Sequence, residues 1–375
     1  DAAIEAQVAE VQESLNIGRG PLIRVHLFRR RMGGHSLLLV VVHHLAIDGV
    51  SWRILLEDLH SLCGLIAEGR SVELPPKTTS FQQWASRLQE FSETDFEGLS
   101  YWTRMLPAEA AAVPRDFDCA VERNTIASAA EVRCSLDAGL TNGLLHEAPR
   151  AFNTRIDDIL LTALLLTFRE STGRSTLQID MEGHGREDLF AAVDLSRTVG
   201  WFTTLYPVAL HAEHDSSPEE TVKAVKEQLR EIPLRGLGYG LLRYFRQDAG
   251  EASRPRAEIL FNYLGQTDRA LAAEGAWKPV LGLNGPEQSP ANERSHVLEI
   301  NGIVSGGQLT MTWTYSREIH EHSTIERIAR RYNAILSGLV DKCRNAKLSS
   351  FTPSDFPAAR IDQESLDALI AHISE

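Results

Sequence analysis

Apolar residues along the chain switch between two periods, and the switch predicts alternating strands and helices. The run "LLLVVV" from Leu37 to Val42 is short, continuously apolar and partly β-branched, which predicts a buried strand. Past the Asp48-Gly49 turn, Leu55, Leu59, Leu62 and Ile66 recur at helical spacing and predict a helix that ends near Gly69. The opening "DAAIEAQVAEVQESLN" reads as a helix entered partway. Further on, Ile156, Ile159, Leu160, Ala163 and Leu164 mark an amphipathic helix. Ser217-Pro218-Glu219-Glu220 combines an N-cap, a proline at the first helical position and a glutamate at the third. Ser323 and Glu326 repeat the capping pattern before Ile325, Ile328, Tyr332, Ile335 and Leu339. Strands are expected at "LYPVALHA", "EILFNYL", "HVLEINGIV" and "QLTMTWTYS", the last alternating as a strand with one buried face does.

At 375 residues the chain exceeds one ordinary core, so two lobes are expected. The segment "PAEAAAVPRDFDCAVERN", Pro107 to Asn124, holds two prolines and little periodicity and is the best linker, which divides the chain into 1–124 and 125–375. The class is α/β or α+β with mixed sheets. A hydrophobic content of 43% with 24% charged residues is that of a soluble globular protein, and no apolar run is long enough for a membrane span. The net charge of −13 disfavours a nucleic-acid partner. Cys63, Cys119, Cys134 and Cys343 lack metal-ligand spacing and are expected as reduced thiols in the cytoplasm. With no start methionine and no signal peptide, the sequence reads as excised from something longer.

The chemistry concentrates at "VVHHLAIDGVSW". Adjacent residues on a strand point to opposite faces, so His43 and His44 do not readily serve one metal ion, and no H-E-x-x-H helix is present. No metal site is expected. Histidine moves protons near neutral pH, and a polar pair ending a strand before a tight turn is a place where one side chain can face a cavity. Asp48, in the turn with Gly49, reads as a structural carboxylate that holds backbone amides or an arginine. "DMEGHGRE", Asp180 to Glu187, crowds acids, a histidine, an arginine and two glycines together, as a solvated loop or a backbone passing close to a ligand would. "RTVGWFTTLYPV" is aromatic and apolar around one glycine and reads as core, "GLGYG" lacks phosphate-loop spacing, and "FNYLGQ" puts an amide and a phenol at the end of an apolar strand.

In this order, "HHLAIDGVSW", "DDILLTAL", "EGHGRE", "RTVGWFTTLYP", "GLGYG", "FNYLGQ" and the closing "FTPSDFP" resemble the epimerization domains of nonribosomal peptide synthetases. These are members of the condensation-domain superfamily, related to chloramphenicol acetyltransferase. "HHxxxDG" alone marks the superfamily; "EGHGRE" with "FNYLGQ" marks the epimerizing branch. The family begins further upstream, so the opening strand, helix and hairpin of its first lobe are expected to be missing from this sequence.

The resemblance implies two acetyltransferase-like lobes in a V with a tunnel between them. It implies a substrate delivered as an aminoacyl or peptidyl thioester on the phosphopantetheine arm of a peptidyl carrier protein, upstream in cis, with a downstream synthetase module as a further partner. The domain has no cofactor of its own on this reading, and neither nucleic acid nor membrane is a partner. Epimerization of the α-carbon, L to D, is the implied activity, with peptide-bond condensation as the alternative. His44 and Glu182 are then the acid/base pair, and Asn262 and Tyr263 stabilise the enolate or substrate. Arg186 is expected to pair with Asp48 and tie the His44 turn to the opposite lobe, while His43 is structural.

Overall fold

In the computed structural model, which describes residues 2–29, 35–94, 98–104, 112–118, 123–246, 257–266, 278, 280, 283, 285, 287–345, 351–359 and 361–373, the strands form one sheet of two and one of six. The chain divides into two compact units, and the division does not fall at residue 125. One unit comprises Asp1–Glu93, His184–Thr203 and Arg269–Asn292; the other comprises Thr94–Gly183, Thr204–Asp268 and Glu293–Glu375. Composition can reveal a linker, but not an excursion in which chain from the second half packs into the first. Much of the expected linker, Cys119 included, lies outside the described residues.

The first unit holds helix α1 (Ala2–Glu13), the antiparallel strands β1 (Ile23–Phe28) and β2 (Leu37–Val42), helix α2 (Gly49–Ala67) and helix α3 (Phe81–Ser92). Strand β2 is the expected apolar run, yet it is half-buried along its whole length rather than buried. Among the described residues it pairs only with β1, whose Ile23, Val25 and Leu27 are exposed, so the ribbon lacks a cover on one side. Helix α2 stops just before Gly69, whose φ of +66° supplies the left-handed turn.

The second unit continues with α4 (Leu99–Arg104), β3 (Ala129–Ser135), α5 (Ala138–Asn142), α6 (Ala148–Phe152), α7 (Ile156–Thr172), β4 (Thr176–Gly183) and β5 (Thr204–His211). It closes with α8 (Pro218–Arg230), α9 (Leu237–Phe245), β6 (Ile259–Gln266), β7 (Leu298–Ser305), β8 (Gln308–Ser316), α10 (His322–Asn345) and α11 (Gln363–Ile373). The sheet order is β3-β8-β7-β6-β4-β5, with β4–β6 and β6–β7 parallel and the remaining pairs antiparallel. All four expected strands are present, and "QLTMTWTYS" spans β8 end to end.

Helix α7 differs from its amphipathic reading: every residue from Asp158 to Phe168 is buried. It packs against β4, α8 and α10, so apolar residues on all sides are covered. Its buried Thr162 and Thr167 hydroxyls donate to the carbonyls of Asp158 and Ala163, one turn back, which leaves no orphan donor. Helix α8 carries the full capping box, Ser217 with Glu220, as expected. Helix α10 starts earlier than its sequence signal, at His322, and Ser323 is not its cap. Asp116 instead accepts from Glu321 N–H and Thr324 Oγ1, fixing the helix entry from a distant segment. The closing "FTPSDFP" is an anchor: buried Lys226 donates to both Asp355 carboxylate oxygens, at 2.7 and 2.6 Å, and to Phe152 O.

Strand alternation sorts this sheet into a helix-packed face and a polar face. Leu177, Ile179 and Met181 of β4, Phe261 of β6, Ile300 of β7 and Trp313 of β8 join the helices in one hydrophobic core. Residues of the opposite parity, Gln178, Asp180 and Glu182 on β4, Asn262 on β6, Glu299 and Asn301 on β7, and Thr312 and Thr314 on β8, share the other face. The candidate chemistry of this unit lies there.

Candidate active site

The histidine segment leaves the sheet before the histidines. Strand β2 ends at Val42, and His43 caps a single 3₁₀ turn, His44–Ala46. The strand-alternation expectation therefore does not apply to them. His43 Nδ1 accepts from Leu45 N–H at 3.2 Å, a local structural role. His44 is exposed, and its imidazole lies 5.9 Å from the Trp201 ring at a 59° tilt. Trp201 comes from "RTVGWFTTLYPV", a segment whose sequence does not separate a site residue from core.

Asp48 is 3% exposed and is the N-cap of α2. Its Oδ1 accepts from Ser51 N–H at 2.7 Å, its Oδ2 accepts from Phe202 N–H at 3.1 Å, and Arg186 Nη2 donates to both oxygens at 3.2 and 3.3 Å. Arg186 also donates to Ser51 Oγ and to the Leu195 and Thr198 carbonyls, and its guanidinium stacks 3.9 Å from the Phe202 ring centroid. Burial lowers the Arg186 pKa, and the Asp48 charge opposes that shift. The expected pairing forms, but it does not join two lobes: Arg186 lies in His184–Thr203, inside the same unit as Asp48. Gly200 is required here, since a Cβ would come within 2.4 Å of the Phe81 ring. Gly49, at the first residue of α2, has open space around it.

In the other unit, Glu182 is the penultimate residue of β4, and the loop of "EGHGRE" begins only after Gly183. Parallel pairing of β4 with β6 sets Asn262 beside it, and Asn262 Nδ2 donates to Glu182 Oε2 at 2.6 Å. A hydrogen bond to the carboxylate holds it in one orientation. Tyr263, the next residue, points to the opposite, helix-packed face, its ring 3.3 Å from where a Gly302 Cβ would stand. It is the last residue of β6 before the register shifts, at the same end of the sheet as Glu182. Burial first, and the charge of Asp157 second, push its phenol up to about 12, so it remains a hydrogen-bond donor throughout the physiological range. The structure thus brings Asn262 to Glu182 and leaves Tyr263 on the other side of the strand.

Two further residues of the polar face escape sequence reasoning. Asp180 Oδ2 lies 2.9 Å from His296 Nε2, both buried, one residue pair below Glu182. In the sequence a buried aspartate in "QIDMEG" looks like part of a loop motif, and its partner is 116 residues away. Among the described residues, no group of three or more His, Cys, Asp or Glu side chains could hold a metal ion, and no helix is long and apolar enough to cross a membrane.

Residues 1–361 match the family model described as "Condensation domain". Among curated relatives, chondramide synthase cmdD of Chondromyces crocatus is 41% identical over 98% of this chain and 9% of its own length. Tyrocidine synthase 1 of Brevibacillus parabrevis is 36% identical over 97% of this chain and 34% of its own length, so the chain spans a small part of either relative. Among solved structures, the epimerization domain from the third module of tyrocidine synthetase B superposes with a TM-score of 0.84 at 35% identity, covering 92% of this chain and 77% of that one.

Proposed function

The chain belongs to the condensation-domain family of nonribosomal peptide synthetases, and within it we propose that the domain epimerizes the α-carbon of an aminoacyl or peptidyl thioester carried on a peptidyl carrier protein. The observation that carries this reading is the Asn262–Glu182 pair, contributed by "FNYLGQ" and "EGHGRE". It places a half-buried, oriented carboxylate at the end of a strand, which is what α-proton transfer needs. Similarity to a solved epimerization domain at 35% identity supports it.

A thioester acidifies its α-carbon because sulfur donates its lone pair to the carbonyl less well than nitrogen does. Removal of the proton still needs a positioned base and a donor for the enolate oxygen. On this reading Glu182 and His44 are the acid/base pair: one takes the α-proton, the enolate forms, and the other returns a proton to the opposite face. Asn262 orients Glu182. Tyr263, expected beside Asn262 as a second stabilising group, lies on the helix-packed face of β6 and is left out of this role. Asp48, Gly49, Arg186 and His43 hold the turn that presents His44. The phosphopantetheine belongs to the carrier protein, and the domain supplies side chains alone.

The test is solvent deuterium incorporation at the α-carbon with a single loaded carrier protein. Exchange accompanied by a D/L mixture is expected. Peptide-bond formation with a second loaded carrier and no exchange would instead support the condensation reading.

A further inference from the structure

Two polar rows cross the face of the six-stranded sheet opposite its hydrophobic core, and they differ in how they are satisfied. The lower row is closed by protein: Asp180 bonds His296 at 2.9 Å, and buried Arg294 donates to Glu299 at 3.0 Å and to Thr314 O at 2.9 Å. The row above it begins at Glu182 and passes in register through Asn262 on β6, Asn301 on β7 and Thr312 on β8. Paired residues of neighbouring strands share a face, so all four side chains stand on the side of the Glu182–Asn262 bond. Asn301 and Thr312 are half-buried, and among the described residues their side chains make no hydrogen bond. An amide and a hydroxyl without partners, in line with an oriented carboxylate, form a surface with both donors and acceptors.

We propose that Asn301, with Thr312 beyond it, binds the acyl chain of the carrier-bound substrate and makes the site favour a peptidyl over an aminoacyl thioester. This rests on the reading that Glu182 works at the α-carbon. Strands lie about 4.8 Å apart, which puts Asn301 roughly 10 Å and Thr312 roughly 14 Å from Glu182 along the row. An extended chain rises about 3.3 Å per residue, so a group starting at Glu182 reaches Asn301 only after about three residues and Thr312 after about four. A single aminoacyl group stops short of both. The Asn301 amide can accept from one peptide N–H and donate to one carbonyl, the pair that every peptide unit offers.

The experiment compares carrier proteins loaded with an aminoacyl, a dipeptidyl and a tetrapeptidyl group, in α-proton exchange and in binding of amide-linked, non-hydrolysable versions. Asn301→Leu is expected to lower kcat/KM and affinity for the tetrapeptidyl carrier about tenfold, with a loss at least fivefold smaller on the aminoacyl carrier. Thr312→Val, which keeps the β-branched shape, should act in the same direction on the tetrapeptidyl carrier alone and secures the test where Asn301→Leu folds poorly. Equal effects on all three chain lengths, or none on any, would overturn the proposal. Chain-length-dependent binding that Asn301→Leu abolishes, without exchange in the unsubstituted protein, would support the subsite while sinking the epimerization reading.

Discussion

Asn262 Nδ2 donates to Glu182 Oε2 at 2.6 Å across the parallel pair β6 and β4, joining two motifs that are 80 residues apart in the chain. A donor held against a carboxylate fixes its orientation. Asn262→Leu is therefore expected to lower kcat for α-proton exchange by releasing the Glu182 carboxylate from that orientation. Glu182→Gln, which keeps the shape, should lower kcat by a factor on the order of 10² to 10⁴ with carrier binding intact. An unaltered kcat in Asn262→Leu would show that the bond does not position the working group.

His44→Ala should lower exchange by a comparable factor without changing the melting temperature, because the ring is exposed. Trp201→Leu should give a smaller loss, concentrated in kcat, if the indole sets the imidazole's orientation. Measurement of single-turnover deuterium incorporation separates these effects from product release.

Removal of one partner from the Asp48–Arg186 pair leaves a buried charge unpaired, which costs roughly 3–5 kcal/mol. Asp48→Asn should thus lower the melting temperature, and Arg186→Lys should fare little better, since an ammonium cannot reproduce the donations to Asp48, Ser51, Leu195 and Thr198 together. Calorimetry on both variants checks this. Loss of activity at an unchanged melting temperature would assign Asp48 a chemical role.

Asp157, at the start of α7, is pushed from 3.8 up to about 6, first by burial and then by Asp158, while Arg155 and Arg230 oppose the shift. Its ionised form is disfavoured in the fold, so its contribution to stability is full below the unfolded value and is lost as pH rises through about 6. At neutral pH the penalty is about 3 kcal/mol, against roughly 0.3–1 kcal/mol gained by a negative charge at a helix N-terminus. Burial wins, and Asp157→Asn should raise the melting temperature near neutral pH and give no gain near pH 4. Thermal unfolding across that range is the measurement.

Local periodicity alone determined the strands from β5 to β8, the α8 capping box and the ends of α2, because these depend on neighbours within one turn or one pleat. Motif order was equally legible, and it singled out Glu182 and Asn262, which the fold joins by a hydrogen bond. The tertiary structure decided what depends on distant partners. It placed 184–203 in the unit of Asp48, started α10 at His322 through Asp116, and covered α7 on every side. It also separated Asn262 from Tyr263, adjacent in "FNYLGQ" and on opposite faces of β6, and set Asn301 in line with Glu182. Strand pairing fixes register, and register selects which side chains share a face. No one segment of sequence contains that information, since each strand's partner lies tens of residues away.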